Sequence, residues 1–383
     1  MKILLLSPYD AKSHQYWWQG LKANLSEHEI TVVTLAARYF SWRFRGNSLS
    51  FAFDERIRER YDLLIATSMT DLSSLRGMCP SLCSIPTIIY FHENQFAYPE
   101  NPAEPDGKTS QMERLVERQI TSIYSAISAD ELLFNSNFNR DTFLTGAAQL
   151  LARMPDAVPP GVIEKLAKKT SVQSVPLWQD TFAASCERKK AGPGQAQKCL
   201  NIVWNHRWEY DKGLDELETI INDIVTNLGP ESVRVHVIGQ SFRRIPPQLR
   251  GIKTSLHQHG SLGEFGYLDS RGDYLNLLRD SHVVLSTAIH EFQGIAVLEA
   301  IACGCIPLVP NALAYREFVP AQFRYDSCAD AGTALISLAD SFEADTMPAA
   351  PDVMQLSWDN QRLPWRRHID RVQSEHNTGT KNA

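Results

Sequence analysis

The sequence predicts an α/β protein made of two parallel-sheet domains, and three observations carry that prediction. The chain has 383 residues, beyond the roughly 250–300 at which a single hydrophobic core stops growing. Short, fully apolar runs alternate with amphipathic stretches, the pattern of parallel strands covered by helices on both faces. The alternation occurs twice, broken once by a polar segment without a period.

In the first half, strands are predicted at Lys2–Ser7, Ile30–Leu35, Tyr61–Ser68, Pro86–Phe91 and Asp130–Asn135, with helices at Gln15–Leu25 and about Gln111–Ser128. Residues 183–198 (AASCERKKAGPGQAQK) are polar, contain Gly and Pro, and read as a linker or loop. Beyond them, strands are predicted at Leu200–Trp204, Val233–Ile238, His282–Ser286 and Ile306–Val309. Helices are predicted at about Gly213–Val225, Gly272–Asp280 and Gly294–Cys303, and the tail Ser357–Glu375 also reads as helical. The predicted organisation is therefore one domain over 1–180, a linker at 183–198, a second domain over 199–356 and a terminal helix over about 357–383. Two such domains facing a central cleft would place ligands at the carboxyl ends of their strands.

Composition narrows the class. Hydrophobic residues at 43% and charged residues at 21% are those of a soluble globular chain. The apolar run at the amino terminus stops at Pro8, short of a signal-peptide core, and no stretch approaches the roughly 18 apolar residues of a membrane helix. The expectation is a cytoplasmic protein with no membrane association. Seven cysteines without paired CxxC knuckles point to reduced thiols and no structural zinc. A net charge of −6 gives no general attraction to nucleic acid, though a local basic patch stays open.

The most informative segment runs from Ser286 to Ala300. A strand ends, a loop carries Glu291, Gly294 opens the chain and a helix begins, with Glu299 eight residues after Glu291. If wholly helical, that spacer would span about 12 Å, roughly the reach from a hexose to the ribose of one nucleotide sugar. The helix N-terminus between the two acids offers amides and a positive dipole end to a diphosphate. An ordinary amphipathic helix with two solvated acids has the same spacing. Arg207 and Lys212 follow another strand end, where two cations could converge on a leaving diphosphate; a solvated basic turn is the alternative. His92, Glu93, Asn94 and Gln95 follow the strand PTIIYF, with His92 suited to proton transfer or hydrogen bonding; a structural loop of satisfied polar groups is the alternative. Metal binding by the adjacent His92 and Glu93 is not expected, since neighbours in sequence rarely share a metal and no second ligand cluster is evident. Asn135 and Ser136 end a further strand and could cap the next helix. His14 follows the first strand. The run from Arg38 to Arg45 mixes arginine with aromatics, which suits base stacking and phosphate contact and equally suits a loop anchored to the core by its rings.

Taken together, these strings resemble a known family. YFHENQ (Tyr90–Gln95), FNSNFN (Phe134–Asn139), HRWEYDK (His206–Lys212), HEFQGIAVLEAIACGCIPL (His290–Leu308), SWRFR (Ser41–Arg45) and YREFVP (Tyr315–Pro320) closely resemble the tRNA-queuosine α-mannosyltransferases, over about Leu5 to Trp358. These are retaining glycosyltransferases of the GT-B fold. The resemblance implies transfer of mannose from GDP-mannose to queuosine at the tRNA wobble position, without a metal, added cofactor or obligate protein partner. It implies Glu291, His92, Arg207 and Lys212 as catalytic residues. Arg207, Lys212, Glu291, Gly294, Glu299 and Asn135 would hold the donor. His14, Glu93, Asn94, Arg43, Arg45, Arg114 and Arg118 become candidates for acceptor or RNA contact. Where the family has Gly-Gly-Ser-His in the first loop, this chain has Ala11-Lys12-Ser13-His14 after Asp10, so backbone there approaches a ligand less closely.

Other classes remain. A retaining glycosyltransferase acting on a lipid or polysaccharide precursor would need a membrane-facing apolar or basic stretch, and none is convincing. An epimerase would turn over donor alone. A silent RNA- or sugar-nucleotide-binding protein would not need both acids and both bases of the donor signature.

Overall fold

The structure, a computed structural model, describes residues 1–98, 108–182, 199–240 and 245–379, with backbone only at 108–112 and 379. The predicted linker at 183–198 lies outside the described residues. The chain divides into two compact units, Met1–Pro176 together with the chain from Trp358 on, and Leu177–Ser357.

The first unit runs β1 (Lys2–Asp10), α1 (Lys12–Asn24), β2 (Glu29–Ala36), α2 (Phe40–Ala52), β3 (Leu63–Thr67), α3 (Leu72–Met78), β4 (Thr87–Phe91) and α4 (Lys108–Ser128). It continues through β5 (Glu131–Phe134), α5 (Asn137–Leu151), α6 (Val162–Ala167) and β6 (Thr170–Val172). Its six strands lie parallel in the order β2-β1-β3-β4-β5-β6. The apolar runs are continuous because both faces are covered. Leu4, Leu6, Leu64, Ala66, Ile89, Phe91, Leu132 and Phe134 turn to one core, while the alternate residues, among them Leu5, Ile65, Ile88 and Tyr90, are buried on the opposite face.

The second unit holds α7 (Gln179–Phe182), β7 (Leu200–Trp204), α8 (Leu214–Asn227), β8 (Val233–Ile238), α9 (Pro247–His259), β9 (Leu262–Gly266) and α10 (Arg271–Asp280). Then come β10 (Val283–Leu285), α11 (Ile295–Ala302), β11 (Ile306–Pro310), α12 (Tyr315–Phe318), β12 (Arg324–Tyr325) and α13 (Cys328–Glu343). The strands are again parallel, ordered β12-β11-β10-β7-β8-β9. This is the doubly wound dinucleotide-fold order, with the topological switch between β7 and β10. Period-two alternation separates the two cores: Ile202, Val283 and Leu285 pack on one side, Val203 and Val284 on the other.

The terminal helix α14 (Trp358–Gly379) belongs to the first unit. Trp365 is fully buried, with its ring 5.3 Å from Tyr90 and 6.0 Å from Trp17. Trp358 lies over Gly20, where an added Cβ would come within 2.7 Å of the indole, so only glycine admits it. At the sheet edge, His368 and Arg371 both reach Glu131, which is buried and therefore needs that positive partner.

Candidate functional site

In the second unit the loops after β7 and β10 meet at the switch point. A short 3-10 turn, Tyr210–Lys212, is closed by Gly213 at φ +65°. A Cβ at Gly213 would lie 1.8 Å from the Thr287 carbonyl oxygen, so the turn and the β10–α11 loop can touch only because that residue is glycine. The two loops are then laced together. Thr287 Oγ1 donates to the Lys212 carbonyl at 2.8 Å, and the Ile289 and His290 amides donate to the Asp211 carbonyl at 3.1 and 3.2 Å.

This lacing sets the buried Lys212 ammonium beside two acids. Lys212 Nζ donates to the His290 carbonyl at 2.9 Å and to Glu291 Oε2 at 3.2 Å, and lies 3.1 Å from Asp211 Oδ2. Burial works against the ammonium, but Glu291 and Asp211 outweigh it and hold the lysine above its usual pKa. Burial likewise pushes the Glu291 carboxyl up, while Lys212 and then His206 pull it down, to about 2. Both groups are thus charged at neutral pH. Arg207 is more exposed and pairs with Glu209 Oε2 at 2.7 Å, with Asp211 Oδ2 at 3.6 Å. Behind them, His206 Nε2 lies 2.9 Å from Ser286 Oγ, which lies 2.7 Å from the Tyr315 hydroxyl. Burial lowers His206 to about 3 and His290 to about 4, so both imidazoles are neutral.

Gly294 caps α11 at φ +80°, with no side-chain cap and no acid in the first turn. The helix starts only at Ile295, so the spacer between Glu291 and Glu299 is helical over its last part alone, which corrects the wholly helical 12 Å separation. Glu299 is buried. Its Oε1 accepts from Arg271 Nη1 at 3.0 Å and its Oε2 from the Tyr274 hydroxyl at 3.1 Å, and Asp180 in turn grips Arg271 at 2.7 and 2.8 Å. Sequence reasoning missed Asp211, Arg271 and Tyr274. Asp211 was visible beside Lys212; Arg271 and Tyr274 reach Glu299 only through the packing of α10 on α11.

The first unit gathers a different set at the carboxyl ends of β1 and β4. His14 and His92 are buried and stacked, ring centroids 4.3 Å apart and 21° from parallel. Ser7 Oγ lies 3.3 Å from His14 Nδ1, and Trp17 and Tyr90 meet His92 edge-on. Burial lowers His14 to about 4; burial and then His14 hold His92 well below its usual range. His92 Nε2 is buried without a hydrogen-bond partner among the described residues. Glu93, beside it, is half-buried.

Two polar residues of this region are structural. Asn94 was a candidate for acceptor contact; instead its amide donates to Asn139 and Thr142 and its oxygen accepts from the Phe96 and Ala97 amides, so a buried side chain is fully used in fixing its loop. Asn135, a candidate for the donor, donates to the His92 carbonyl at 2.9 Å and accepts from Asn139 at 2.8 Å, locking the loop that carries His92. Ser136 caps α5, accepting from the Asn139 amide. On the surface, the arginine-aromatic run is helix α2 and not a loop. Arg45 pairs with buried Asp71 at 3.0 Å and with Glu117 at 3.1 Å, Arg43 donates to the Ala36 carbonyl, Arg118 lies over the Phe40 ring, and Arg114 is exposed on α4.

Comparison with known proteins decides the family. The family model described as tRNA-queuosine alpha-mannosyltransferase N-terminal matches residues 2–177, and that of glycosyl transferases group 1 matches residues 187–325. A tRNA-queuosine alpha-mannosyltransferase of Drosophila melanogaster is 32% identical over 329 residues, covering 85% of this chain and 83% of that one. The chain belongs to the tRNA-queuosine alpha-mannosyltransferase family. It is a glycosyltransferase, and the strings YFHENQ, HRWEYDK and HEFQGIAVLEAIACGCIPL carry residues of the two clusters described above. Among solved structures, sucrose-phosphate synthase from Thermosynechococcus elongatus is similar at TM-score 0.67 and 12% identity, covering 98% of this chain and all of that one. Anabaena HepE in complex with UDP and glucose is similar at TM-score 0.63 and 14% identity, covering 97% and 100%. At such identities the likeness shows the fold alone, the GT-B glycosyltransferase fold.

Proposed function

We propose that this chain transfers mannose from GDP-mannose to a hydroxyl of queuosine in the wobble position of tRNA, with retention at the anomeric carbon. The observation that carries the reading is the Lys212–Glu291 pair held at the switch point of the second unit, in a member of this family. In the donor complex, Arg207 and Lys212 hold the diphosphate, and the capless first turn of α11 adds amides to it. Glu291, kept ionised, accepts hydrogen bonds from mannose hydroxyls, and Glu299 accepts from the ribose hydroxyls on the lone pairs that Arg271 and Tyr274 leave.

The reaction breaks the bond between the mannose anomeric carbon and the diphosphate oxygen. Negative charge then gathers on the leaving GDP while the sugar becomes oxocarbenium-like. Preformed cations act best where charge develops, so Arg207 and Lys212 supply the main stabilisation and no metal or added cofactor is needed. The acceptor hydroxyl attacks the face the diphosphate leaves from and gives its proton to the departing diphosphate oxygen, which gives retention and a balanced exchange. In the first unit, the neutral His92 with its unpaired Nε2 serves as a hydrogen-bonding group for a sugar hydroxyl.

The test is mannose incorporation from labelled GDP-mannose into total tRNA with and without queuosine. Incorporation only with queuosine establishes donor, acceptor and reaction together. Binding of GDP-mannose with no incorporation into either pool overturns the acceptor.

A further inference from the structure

The surface of the first unit carries a feature that neither cluster uses. The aromatic residues of the Arg38–Phe44 run divide into two sets. Phe40 and Phe44 are anchors: Phe40 meets Tyr9 edge-on at 5.5 Å, Phe44 is 6.2 Å from Phe40 and buried, and the Arg118 guanidinium sits 5.5 Å above the Phe40 ring. Tyr39 and Trp42 are not anchors. They are 69% and 56% exposed, although rings of that size normally leave water.

Both sit on special backbone: Tyr39 is the N-cap of α2, its carbonyl accepting from the Arg43 amide at 2.9 Å, and Trp42 neighbours a glycine. Tyr39 sits at φ +53°, a left-handed conformation uncommon for a residue without a short polar side chain. Trp42 lies against Gly46 one turn along α2, where an added Cβ would come within 2.7 Å of the indole. The missing side chain leaves room for the indole beside the helix backbone. Tyr39, the N-cap, and Trp42 stand three residues apart at the start of α2. The Arg38 guanidinium lies 5.7 Å from the Tyr39 ring centroid, and Arg43 follows on the same turn.

The charge around them is positive in a chain of net charge −6. Arg38, Arg43, Arg45, Arg114 and Arg118 outnumber the carboxylates Asp71, Glu113 and Glu117 on α2, α4 and the loop between β3 and α3. Open aromatic faces flanked by guanidinium groups match unpaired nucleotides, which offer π faces between phosphates; a duplex keeps its bases stacked inside.

We propose that Tyr39 and Trp42 form a stacking platform for unpaired bases of the RNA acceptor, with Arg38 and Arg43 contacting the flanking phosphates. This rests on the reading of tRNA as the acceptor. The platform binds the loop outside the reacting nucleotide, so it governs RNA affinity and leaves donor binding alone.

The experiment measures equilibrium binding of a 17-nucleotide anticodon stem-loop to the full chain, alongside GDP affinity and thermal melting. Trp42→Ala and Tyr39→Ala should each weaken RNA binding by about five-fold or more, the lower end of one base–aromatic stack. Trp42→Phe should restore part of the loss, and GDP affinity should stay at the wild-type value. Gly46→Ala, which displaces the indole without removing it, should also weaken RNA binding. Arg38→Gln and Arg43→Gln should each lower the slope of log affinity against log salt by roughly 0.7, as for one single-strand phosphate. If the wild-type chain mannosylates queuosine tRNA and Trp42→Ala and Tyr39→Ala bind the stem-loop as tightly as wild type, the platform is overturned and the function stands. If the wild-type chain neither binds nor modifies tRNA, both fall together.

Discussion

At the switch point of the second unit, a buried lysine lies within 3.2 Å of two carboxylates, and Lys212 and Glu291 hold each other charged. At the carboxyl ends of β1 and β4 in the first unit, two imidazoles stack at 4.3 Å, and burial keeps them neutral. Both units are parallel doubly wound sheets, though in different strand orders. The charges themselves are set by the loops. Gly213 brings the two loops of the second unit into backbone contact and so allows charges to be buried in pairs. The first unit uses Asn94, Asn135 and Asn139 to tie its loops with neutral amides. A site for a diphosphate must carry fixed charge, because its cargo does. A site for sugar hydroxyls needs oriented hydrogen-bonding atoms, which neutral groups supply without the cost of burying charge.

The contrast breaks first at Lys212. Lys212→Ala removes the cation from the leaving group, and turnover should fall by about two to three orders of magnitude. It also leaves Glu291 and Asp211 buried without their partner, so the melting temperature should drop, with a loss of about 3–5 kcal/mol. Turnover near wild type with labelled GDP-mannose would remove the second unit's claim to the chemistry. Gly213→Ala attacks the same pair through the backbone. Its Cβ would meet the Thr287 carbonyl at a positive φ, so the loops must part, with a strain of about 1–3 kcal/mol. The Michaelis constant for GDP-mannose should rise while both side chains remain. The matching change in the first unit is His92→Phe, which keeps a ring against His14 but deletes Nε2. Turnover should fall by about five- to ten-fold, the worth of one hydrogen bond, with melting little changed. A loss as large as that of Lys212→Ala would show the two units to be equal in the chemistry.

Much of this arrangement was legible in the sequence, and the reasons are local. The strands LNIVW and VRVHVI were found to the residue because both are central and mostly buried, with apolar residues at all but Asn201, Arg234 and His236. Strand β9 (Leu262–Gly266) was missed. It lies at the sheet edge, half-exposed, with glycines at both 263 and 266 diluting its apolar run. Strands β6 and β12 are edge strands of three and two residues, too short to carry a period. Helix α2 was hidden because its aromatics point both inward and outward. Arg207, Lys212 and Glu291 could be placed at strand ends because the switch point collects strand ends. That Lys212 and Glu291 touch depends on Gly213, whose closeness to Thr287 no spacing reveals. At Asn94 the four polar residues in a row read equally as a functional cluster or a structural loop, and both ends of its amide are committed to the loop.

The smallest expected effect separates the two regions by pH. His14 titrates at about 4 in the folded first unit against 6.5 when exposed. Between those values the unfolded chain binds a proton that the folded chain refuses, so stability is lost as pH falls through that window, by at most about 1.4 kcal/mol per pH unit for one group. Glu291 in the second unit is held at about 2 against 4.5. Its contribution is present above 4.5 and is lost only as pH falls from there toward 2. His14→Phe should therefore flatten the fall in urea midpoint between pH 6.5 and 4 and leave the fall below pH 4 unchanged. Glu291→Gln should leave the upper window alone and alter the lower one. The other buried histidines, His92, His206, His236 and His290, also resist protonation in the upper window, so His14→Phe should remove only part of the slope there. An unchanged slope between pH 6.5 and 4 would mean that His14 is protonated in the fold as readily as in water. The neutral character assigned to the first unit's stacked pair would then be wrong.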